Sequence, residues 1–426
     1  MQNKVVPGAY INFVSAASAN VNLSGRGIAT MPLNLDWGIE GKVFEVTGDD
    51  FKSNCQKIFG YPYTHSKMKG LRDLFRNIEL LYVYRLNSGG EKAANNFATA
   101  VYSGIRGNNL KIIIQKNVDD DTLFDVKTML DTSVVDEQTV ETASELKANS
   151  YVVFKKDAEL AVTAATPLLG GTNGEADGAS HQAYLDKIEG YSFNAMGVCV
   201  TEEAVKALYC AFTERMREDM GVKFQTVLYK QAADYYGIVN VENKVTDDEF
   251  GEASLVYWVT GITAGCQVNK SNQNKVYDGE FSVETEMTQS QLAKAMQEGK
   301  FVFHRVGSDV RVLADINSMV TETESCGKVF KENQTIRVID QIANDIAVLF
   351  NTKYLGVVPN DNAGRISLWS DIVKHHKQLN DIRAIEDFED TDVTVSQGET
   401  KKAVVVTDAI TVVNAMDKLY MTVTVN

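Results

Sequence analysis

The chain has 426 residues, of which 44% are hydrophobic and 23% are charged, and its formal net charge is −15. The length predicts about two to four domains, and the composition excludes a globally disordered chain. The acidic balance argues against free DNA or RNA as the main partner, because phosphate backbones are bound by clustered Lys and Arg.

Residues 1–27 are predicted to form an extended arm. Val5, Val6 and the stretch AYINFVSA have the β-branched and aromatic content of a strand, and the small polar residues after them add too little bulk for a core. At about 3.3 Å per residue, residues 3–18 would extend about 50 Å, against a radius of gyration of roughly 22 Å for a globule of this length. Such an arm is long enough to reach a neighbouring molecule.

Residues 28–90 are predicted to be an α/β segment that packs with the core. The stretch KVFEVTG is a short strand candidate, and Leu80–Leu86 is a second one. Between them an amphipathic helix is predicted from apolar residues at helical spacing, namely Leu71, Leu74, Phe75 and Ile78.

Residues 91–172 are predicted to form a small β-sandwich or barrel. Short β-rich runs (LKIIIQK, TLFDVKTML, SYVVFKK and ELAVTAAT) alternate there with clusters of Asp, Asn and Gly. Three consecutive aspartates at 119–121 could bind a cation, but a solvated turn is favoured because the ligand spacing of a calcium loop is missing. The Gly-rich stretch LLGGTNGEADG then marks a domain boundary.

Residues 173–286 are predicted to be an α/β middle domain with a parallel sheet. A helix opens at Thr201, with Glu202 and Glu203 in a first turn where the helix dipole favours carboxylates. The runs VKFQTVLY and GIVNVEN are strands, and EASLVYWVTGITAG is a mostly apolar helix.

Residues 287–405 are predicted to be an α+β domain. Thr288 and Gln291 fit a capping box, and the pair Gly307-Ser308 between two β-rich runs indicates a hairpin. A first long helix, TIRVIDQIANDIAVLF, is expected to bury Ile336, Ile339, Ile342, Ile346 and Leu349 on one face. A second, RISLWSDIVKHHKQLNDI, is expected to bury Leu368, Ile372, Leu379 and Ile382.

Residues 406–426 are predicted to be a C-terminal strand arm. From Leu419 onward apolar and polar residues roughly alternate, and valine and threonine continue to the penultimate position. The pattern alone leaves two possibilities equally open: both terminal strands pair inside their own subunit, or they add to a sheet edge of a neighbour.

Motifs of catalysis and nucleotide binding are missing from the sequence. No G-x-x-x-x-G-K-[ST] occurs, since Gly299-Lys300 is followed by Phe301 and Gly327-Lys328 by Val329. His181, Asp186 and Ser192 could be combined into a triad, but nothing places a nucleophile on a tight turn there. We therefore expect no enzyme, no catalytic residue and no cofactor.

Cysteines, leader signals and apolar runs set further limits. The 5 cysteines are widely spread and form no C-x-x-C pair, so neither a disulfide framework nor a metal site is expected. The stretch MQNKVVPGAYINF lacks a charged region followed by an apolar one, so we expect no secretory signal. No apolar run reaches the ~18 residues of a membrane helix, so no direct membrane insertion is expected.

A helix with several basic residues is unusual in this acidic chain. It carries Lys374, His375, His376 and Lys377, with Arg365 before them and Arg383 after them. One interpretation is a solvated face with ordinary i,i+4 pairs such as Asp371 with His375. The other is a docking surface for an acidic partner.

Several stretches resemble contractile-tail sheath proteins, most closely those of Gram-positive myophages and phage-tail-like bacteriocins. In the C-terminal third they are NQTIRVIDQIANDIAVLFNTKYLG and DAITVVNAMDKLYMTVTVN. The start VPGAYINF, the run LRDLFRNIELLYVYRL, the boundary LLGGTNGEADG and the helix SLVYWVTGITAG also resemble that family. The resemblance covers essentially the whole chain, and it rests on several landmarks in order rather than on one specific motif.

The resemblance implies a multidomain α+β fold. A small β-sandwich would be inserted near a subtilisin-like α/β middle domain, and an α+β C-terminal domain with extended terminal arms would interlock with its neighbours. It also implies a structural function: subunits form six-membered rings or helical strands around an inner tail tube. The sheath then contracts without ATP and drives the tube through the target cell envelope.

The partners implied are other copies of the chain, the inner tail tube protein, the baseplate and the tail terminator, with assembly in a bacterial cytoplasm and residence in a virion tail or an extracellular particle. The intersubunit N-terminal residues are then Val5, Val6, Tyr10, Ile11, Phe13 and Val14. The C-terminal ones are Leu419, Tyr420, Met421, Val423 and Val425. The candidate tube-facing residues are Arg365, Lys374, His375, Lys377 and Arg383. The rival readings are a static tube or capsid-like protein and an α/β hydrolase.

Overall fold

The computed structural model describes residues 23–425. The predicted N-terminal arm residues from Val5 to Val14 therefore lie outside the described residues. The chain divides into two compact units. Residues 30–72 and 80–188 form one, called here the sandwich unit, and residues 23–29, 73–79 and 189–425 form the described part of the other, called the C-terminal unit.

The elements of the first part of the chain include short strands and short helices. The strands are β1 (Ile28–Leu33), β2 (Phe44–Thr47), β3 (Leu80–Arg85), β4 (Ala98–Ala100), β5 (Leu110–Lys116), β6 (Phe124–Leu130), β7 (Ser133–Val140), β8 (Val152–Phe154) and β9 (Thr163–Pro167). The helices are α1 (Gly48–Ser53), α2 (Cys55–Phe59), α3 (Lys69–Phe75) and α4 (Gly178–Ile188).

Two antiparallel sheets surround the core of the sandwich unit. One has four strands in the order β7-β6-β5-β9, and the other pairs β4 with β8. Alternate residues of β5 (Leu110, Ile112 and Ile114) are fully buried, as expected for strands with one face on a core. The predicted β-rich character of this region is confirmed, although β7 is a strand that the sequence did not predict.

The elements of the C-terminal unit include longer helices. The strands are β10 (Ala195–Val198), β11 (Gln225–Tyr229), β12 (Ile238–Val241), β13 (Phe303–Val306), β14 (Asp309–Val312), β15 (Ile385–Glu386), β16 (Val393–Gln397), β17 (Val404–Asp408) and β18 (Thr411–Val412). The helices are α5 (Glu203–Glu214), α6 (Leu255–Gly265), α7 (Gln289–Gln297), α8 (Asn333–Leu349) and α9 (Asn362–Asp381).

A parallel sheet covered by α6 forms the centre of the C-terminal unit. β10 pairs with β11 and β11 with β12, both in parallel, and every residue of these strands is buried. Strands buried on both faces belong to sheets covered by helices on either side. A Cβ at Gly197 would lie 2.1 Å from the Thr260 hydroxyl, so only glycine lets α6 approach this closely. The predicted α/β arrangement is confirmed.

Two local predictions are also confirmed. Thr288 and Gln291 form the capping box at the start of α7. β13 and β14 form an antiparallel hairpin, with Val306 opposite Asp309 across the predicted Gly307-Ser308 turn.

Helix α8 differs from its predicted burial pattern. Ile336 and Leu349 are buried, whereas Ile339, Ile342 and Ile346 are only partly buried. Polar residues are buried in their place: Asn333, Gln334, Thr335, Arg337, Asp340, Gln341 and Asp345. Buried polar groups need partners. Many of the groups that α8 contacts are therefore charged or amide groups of the protein rather than apolar side chains.

Helix α9 buries Leu368, Ile372 and Leu379 as predicted, but Ile382 follows the last helical residue and is 36% exposed. Two small antiparallel sheets follow, β16 with β17 and β15 with β18. The predicted C-terminal arm, residues 406–426, therefore begins inside β17. From 413 to 425 the described chain has no strand.

Candidate functional site

The C-terminal end of the described chain is fastened at its base to α8. The Gln334 side chain donates through Nε2 to the Val413 carbonyl and accepts through Oε1 from the Ala415 amide, both at 3.0 Å. Asn414 donates through Nδ2 to the Thr335 hydroxyl, at 3.1 Å. One amide side chain thus pairs with two backbone groups as a neighbouring strand would. We call residues 413–417 the anchor.

Beyond the anchor the chain is exposed over residues 418–425, called here the tail. Its large side chains are Leu419, Tyr420, Met421, Val423 and Val425, and each is between 69% and 89% exposed. A run of this many exposed apolar side chains is unusual on a soluble protein and marks an interaction surface. The sequence predicts a strand here, and the residues that the structure describes offer this segment no strand partner.

The hairpin of β16 and β17 has open edges among the described residues, because these two strands pair only with each other. On β17 the side chains of Val405 and Val406 are 36% and 39% exposed. The opposite strand is held against α9, where the Trp369 indole nitrogen donates to the Val393 carbonyl at 2.9 Å. An edge with free backbone groups and exposed valines is a template for a further strand.

The basic residues predicted on α9 differ in exposure and in their partners. Lys374 is exposed and has no ion pair within the described chain, whereas Lys377 pairs with Asp390 at 2.7 Å. Arg365 is partly buried and donates to the carbonyl of Asn360. Arg383 is exposed beyond the end of the helix, with a φ of 59°.

His375 corrects the predicted tube-facing set. It is buried, and its Nε2 lies 2.9 Å from Oδ2 of Asp345 on α8, so it cannot lie on a docking surface. The alternative i,i+4 pair with Asp371 is also wrong. Asp371 instead pairs with Lys353 at 2.5 Å and accepts from the Tyr354 hydroxyl, whereas His375 contacts Asp345.

The start of the described chain is held by the same two helices. Oδ1 of Asp345 accepts from the Ser24 hydroxyl, and Nε2 of Gln341 donates to that hydroxyl at 2.6 Å. The Leu23 amide donates to the side chain of Gln378 on α9. Arg26 donates to the Cys266 carbonyl at 2.8 Å, and burial lowers the pKa of this guanidinium to about 10. Nothing in the apolar pattern of the sequence indicates these polar contacts.

Two of the rejected triad residues, His181 and Asp186, lie on α4. His181 is buried there, whereas Asp186 is exposed and accepts from Gln182 at 2.7 Å. Between residues 23 and 425 no group of three or more His, Cys, Asp or Glu side chains could hold a metal ion. None of the helices in that range is both long enough and apolar enough to cross a bilayer.

Four family models match consecutive parts of the chain. Residues 26–86 match the tail sheath protein Gp18 domain III N-terminal region, and residues 88–173 match the phage tail sheath protein beta-sandwich domain. Residues 174–318 match the phage tail sheath protein central domain, and residues 325–426 the phage tail sheath C-terminal domain. The predicted β-sandwich is thereby confirmed.

Individual proteins match over nearly the full length. The phage-like element PBSX protein XkdK of Bacillus subtilis is 32% identical over 98% of this chain and 97% of its own. The sheath tail protein of Desulfitobacterium hafniense is 35% identical with a TM-score of 0.81, over 92% of this chain and 93% of its own. The helical sheath of the anti-feeding prophage in its contracted state shares the fold, at 13% identity and a TM-score of 0.58, over 99% of both chains.

Proposed function

The chain belongs to the phage tail sheath protein family, and from that premise we propose that it is the structural subunit of a contractile tail sheath. The subunits polymerise around an inner tail tube, and the sheath shortens without ATP to drive the tube through a target cell envelope. Its working partners are other copies of itself, the tube protein, the baseplate and the tail terminator. It resides in a phage tail or a phage-tail-like particle that is assembled in a bacterial cytoplasm.

The proposal is supported mainly by the exposure of the tail. Its five large apolar side chains are exposed, while the anchor just before them is held to α8 by four hydrogen bonds. A segment that is fixed at its base and apolar beyond it is suited to leave its own subunit in a defined direction. The alternating pattern of the tail suits it to add as a strand to another sheet.

The hairpin of β16 and β17 on a neighbouring copy is the proposed acceptor. Its open edges supply backbone groups, and Val405 and Val406 supply an apolar surface against which alternate tail side chains can pack. Each added hydrogen bond contributes only ~1 kcal/mol. Many joints in one lattice nevertheless act together through effective concentration, so weak joints suffice to hold a cylinder. Residues 1–22 are proposed to make the corresponding joint at the other end of the chain.

Removal of the tail tests this assignment. We expect a chain that lacks residues 418–426 to stay folded, because the anchor remains, but to form no cylinders when the full-length protein does. Negative-stain electron microscopy reports the cylinders, and circular dichroism and thermal unfolding report the fold. A matched control changes Asp119 and Asp121, which are exposed in the connection between β5 and β6 and take no part in the proposed joint, to alanine. Cylinders of normal length from the truncated chain would remove the tail from the joint.

A further inference from the structure

Two adjacent histidines on α9 are buried and point to different parts of the C-terminal unit. His375 is 2% exposed and His376 is fully buried. Their rings contact each other edge to face, with centroids 5.4 Å apart. Successive helical residues point about 100° apart, so the pair can reach two separate elements while the rings stay in contact.

On one side, His375 leads to the point where the N-terminal region enters the described structure. Its Nε2 contacts Asp345 at 2.9 Å, and the other carboxylate oxygen of Asp345 accepts from the Ser24 hydroxyl. Gln341 donates to both the Ser24 hydroxyl and Asp345 and closes this small network. Residues 1–22 directly precede it.

On the other side, His376 leads to the C-terminal hairpin. Its Nδ1 faces the Ile372 carbonyl at 2.9 Å, and its Nε2 lies 2.9 Å from Oδ2 of Asp408 in a contact that is not aligned as a hydrogen bond. Asp408 is the last residue of β17. Its neighbour Ala409 donates to the Asp392 carbonyl, just before β16.

We propose that the chain of contacts Ser24–Asp345–His375–His376–Asp408, called here the relay, couples the exit of the N-terminal arm to the β16–β17 hairpin of the same subunit. This inference rests on the proposed function, in which both places are joints between subunits. His375 and His376 are positioning residues that make the two joints respond together. Displacement at one joint then changes the stability of the other.

The environment of the relay makes this coupling physically reasonable. The histidine rings and Asp345 are buried, so each polar atom that loses its partner there stays unpaired at a cost in free energy. Networks of packed and hydrogen-bonded side chains are one way in which two separate sites can be coupled energetically. Both ends of the relay are more exposed: Ser24 lies at the surface and the Asp408 side chain is 25% exposed.

Hydrogen exchange on the full-length protein tests the relay. Ser24→Ala should speed amide exchange in residues 404–408 several-fold, although none of the hydrogen bonds of Ser24 reaches β17. Ser271→Ala is the matched control, because Ser271 also donates to a buried aspartate, Asp315, that pairs with Arg337 of α8, away from both histidines. The control should leave residues 404–408 unchanged. Equal effects of the two variants, or no effect of Ser24→Ala, would overturn the proposal.

A second variant cuts the relay at its far end. Asp408→Ala removes every side-chain atom that contacts His376, and because the position is partly exposed it leaves the buried core intact. In this background Ser24→Ala should no longer change exchange in residues 404–408. A persisting effect would show that the signal takes another route and would defeat the relay. Both hydrogen-exchange measurements are made on the unassembled chain, so their outcome does not depend on the proposed function. The proposed function fails instead if the wild-type protein never forms cylinders.

Discussion

Asp73 is the residue whose protonation is most clearly tied to the fold. Its carboxyl is completely buried; Oδ2 accepts from the Tyr277 hydroxyl at 2.6 Å and Oδ1 from the Glu280 amide at 2.8 Å. Burial raises the pKa of Asp73 to about 6, against the lowering effect of these two hydrogen bonds. A neutral carboxyl is favoured in such a site because burial penalises the charged form.

The raised pKa predicts a dependence of stability on pH. Between its unfolded value of 3.8 and about 6 the folded chain holds this proton more tightly than the unfolded chain. The free energy of unfolding should therefore fall as pH rises through that window, by at most about 3 kcal/mol from this group. Asp73→Asn should remove this part of the slope, as measured by denaturant unfolding across the window. Asp248→Asn, at an exposed position, is the control, and equal slopes in Asp73→Asn and wild type would refute the assignment.

At the level of single residues, the sequence did not predict the polar contacts of α8 and α9. His375 was predicted to lie on the surface because its neighbours Lys374 and Lys377 are basic, yet it pairs with Asp345, 30 positions earlier. Apolar periodicity assigns polar residues to the solvent side. It therefore gives no signal for a polar network such as Ser24, Gln341 and Asp345, in which Ser24 is distant in sequence from the other two.

Among elements, those set by local chemistry were predictable. The capping box of α7 and the β13–β14 hairpin depend on residues only a few positions apart. β7 was missed because it is an edge strand with both faces largely polar, and its sequence SVVDEQTV lacks a clear alternation. The burial of α8 was mispredicted for a tertiary reason: Arg217 donates to both carboxylate oxygens of Asp340, so a charged face is buried.

Helix α9 yields a prediction about the tube-facing surface, which stays a proposal. With His375 excluded, the exposed basic residues are Lys374, Lys377 and Arg383. Changing all three to Glu should impair sheath growth on purified tubes, because charge reversal opposes docking to an acidic surface. Lys294→Glu on α7 controls for a single reversed charge at an exposed site of the same unit. Growth is scored by electron microscopy, and normal growth of the triple variant would exclude this surface.

For the whole molecule, changes in composition and the Gly-rich stretch LLGGTNGEADG predicted a division into successive segments, and that division stays a prediction. The destination of the terminal strands could not be predicted from the sequence. Strand-like alternation shows that Leu419 to Val425 can pair, but the partner of an extended segment lies outside its own sequence. The structure shows that the described chain holds this segment only as far as the anchor, so its own subunit supplies no strand partner among the described residues.

The assembled sheath should contract without nucleotide, because the proposed function is contraction without ATP. Isolated particles treated with apyrase and then triggered at the baseplate should shorten as far and as fast as untreated ones. Electron microscopy of particle length, with ATP added back as the control, measures this. Contraction that requires added ATP would contradict the proposal, as would a cylinder of constant length.

The two hydrogen bonds between Gln334 and the anchor have a consequence for sequence variation. Gln334 pairs with main-chain atoms of Val413 and Ala415, so both hydrogen bonds are compatible with any residue at 413 and with any residue except proline at 415. Substitutions at these two positions can therefore keep the tail attached to α8, whereas loss of Gln334 removes both hydrogen bonds whatever the sequence of the tail.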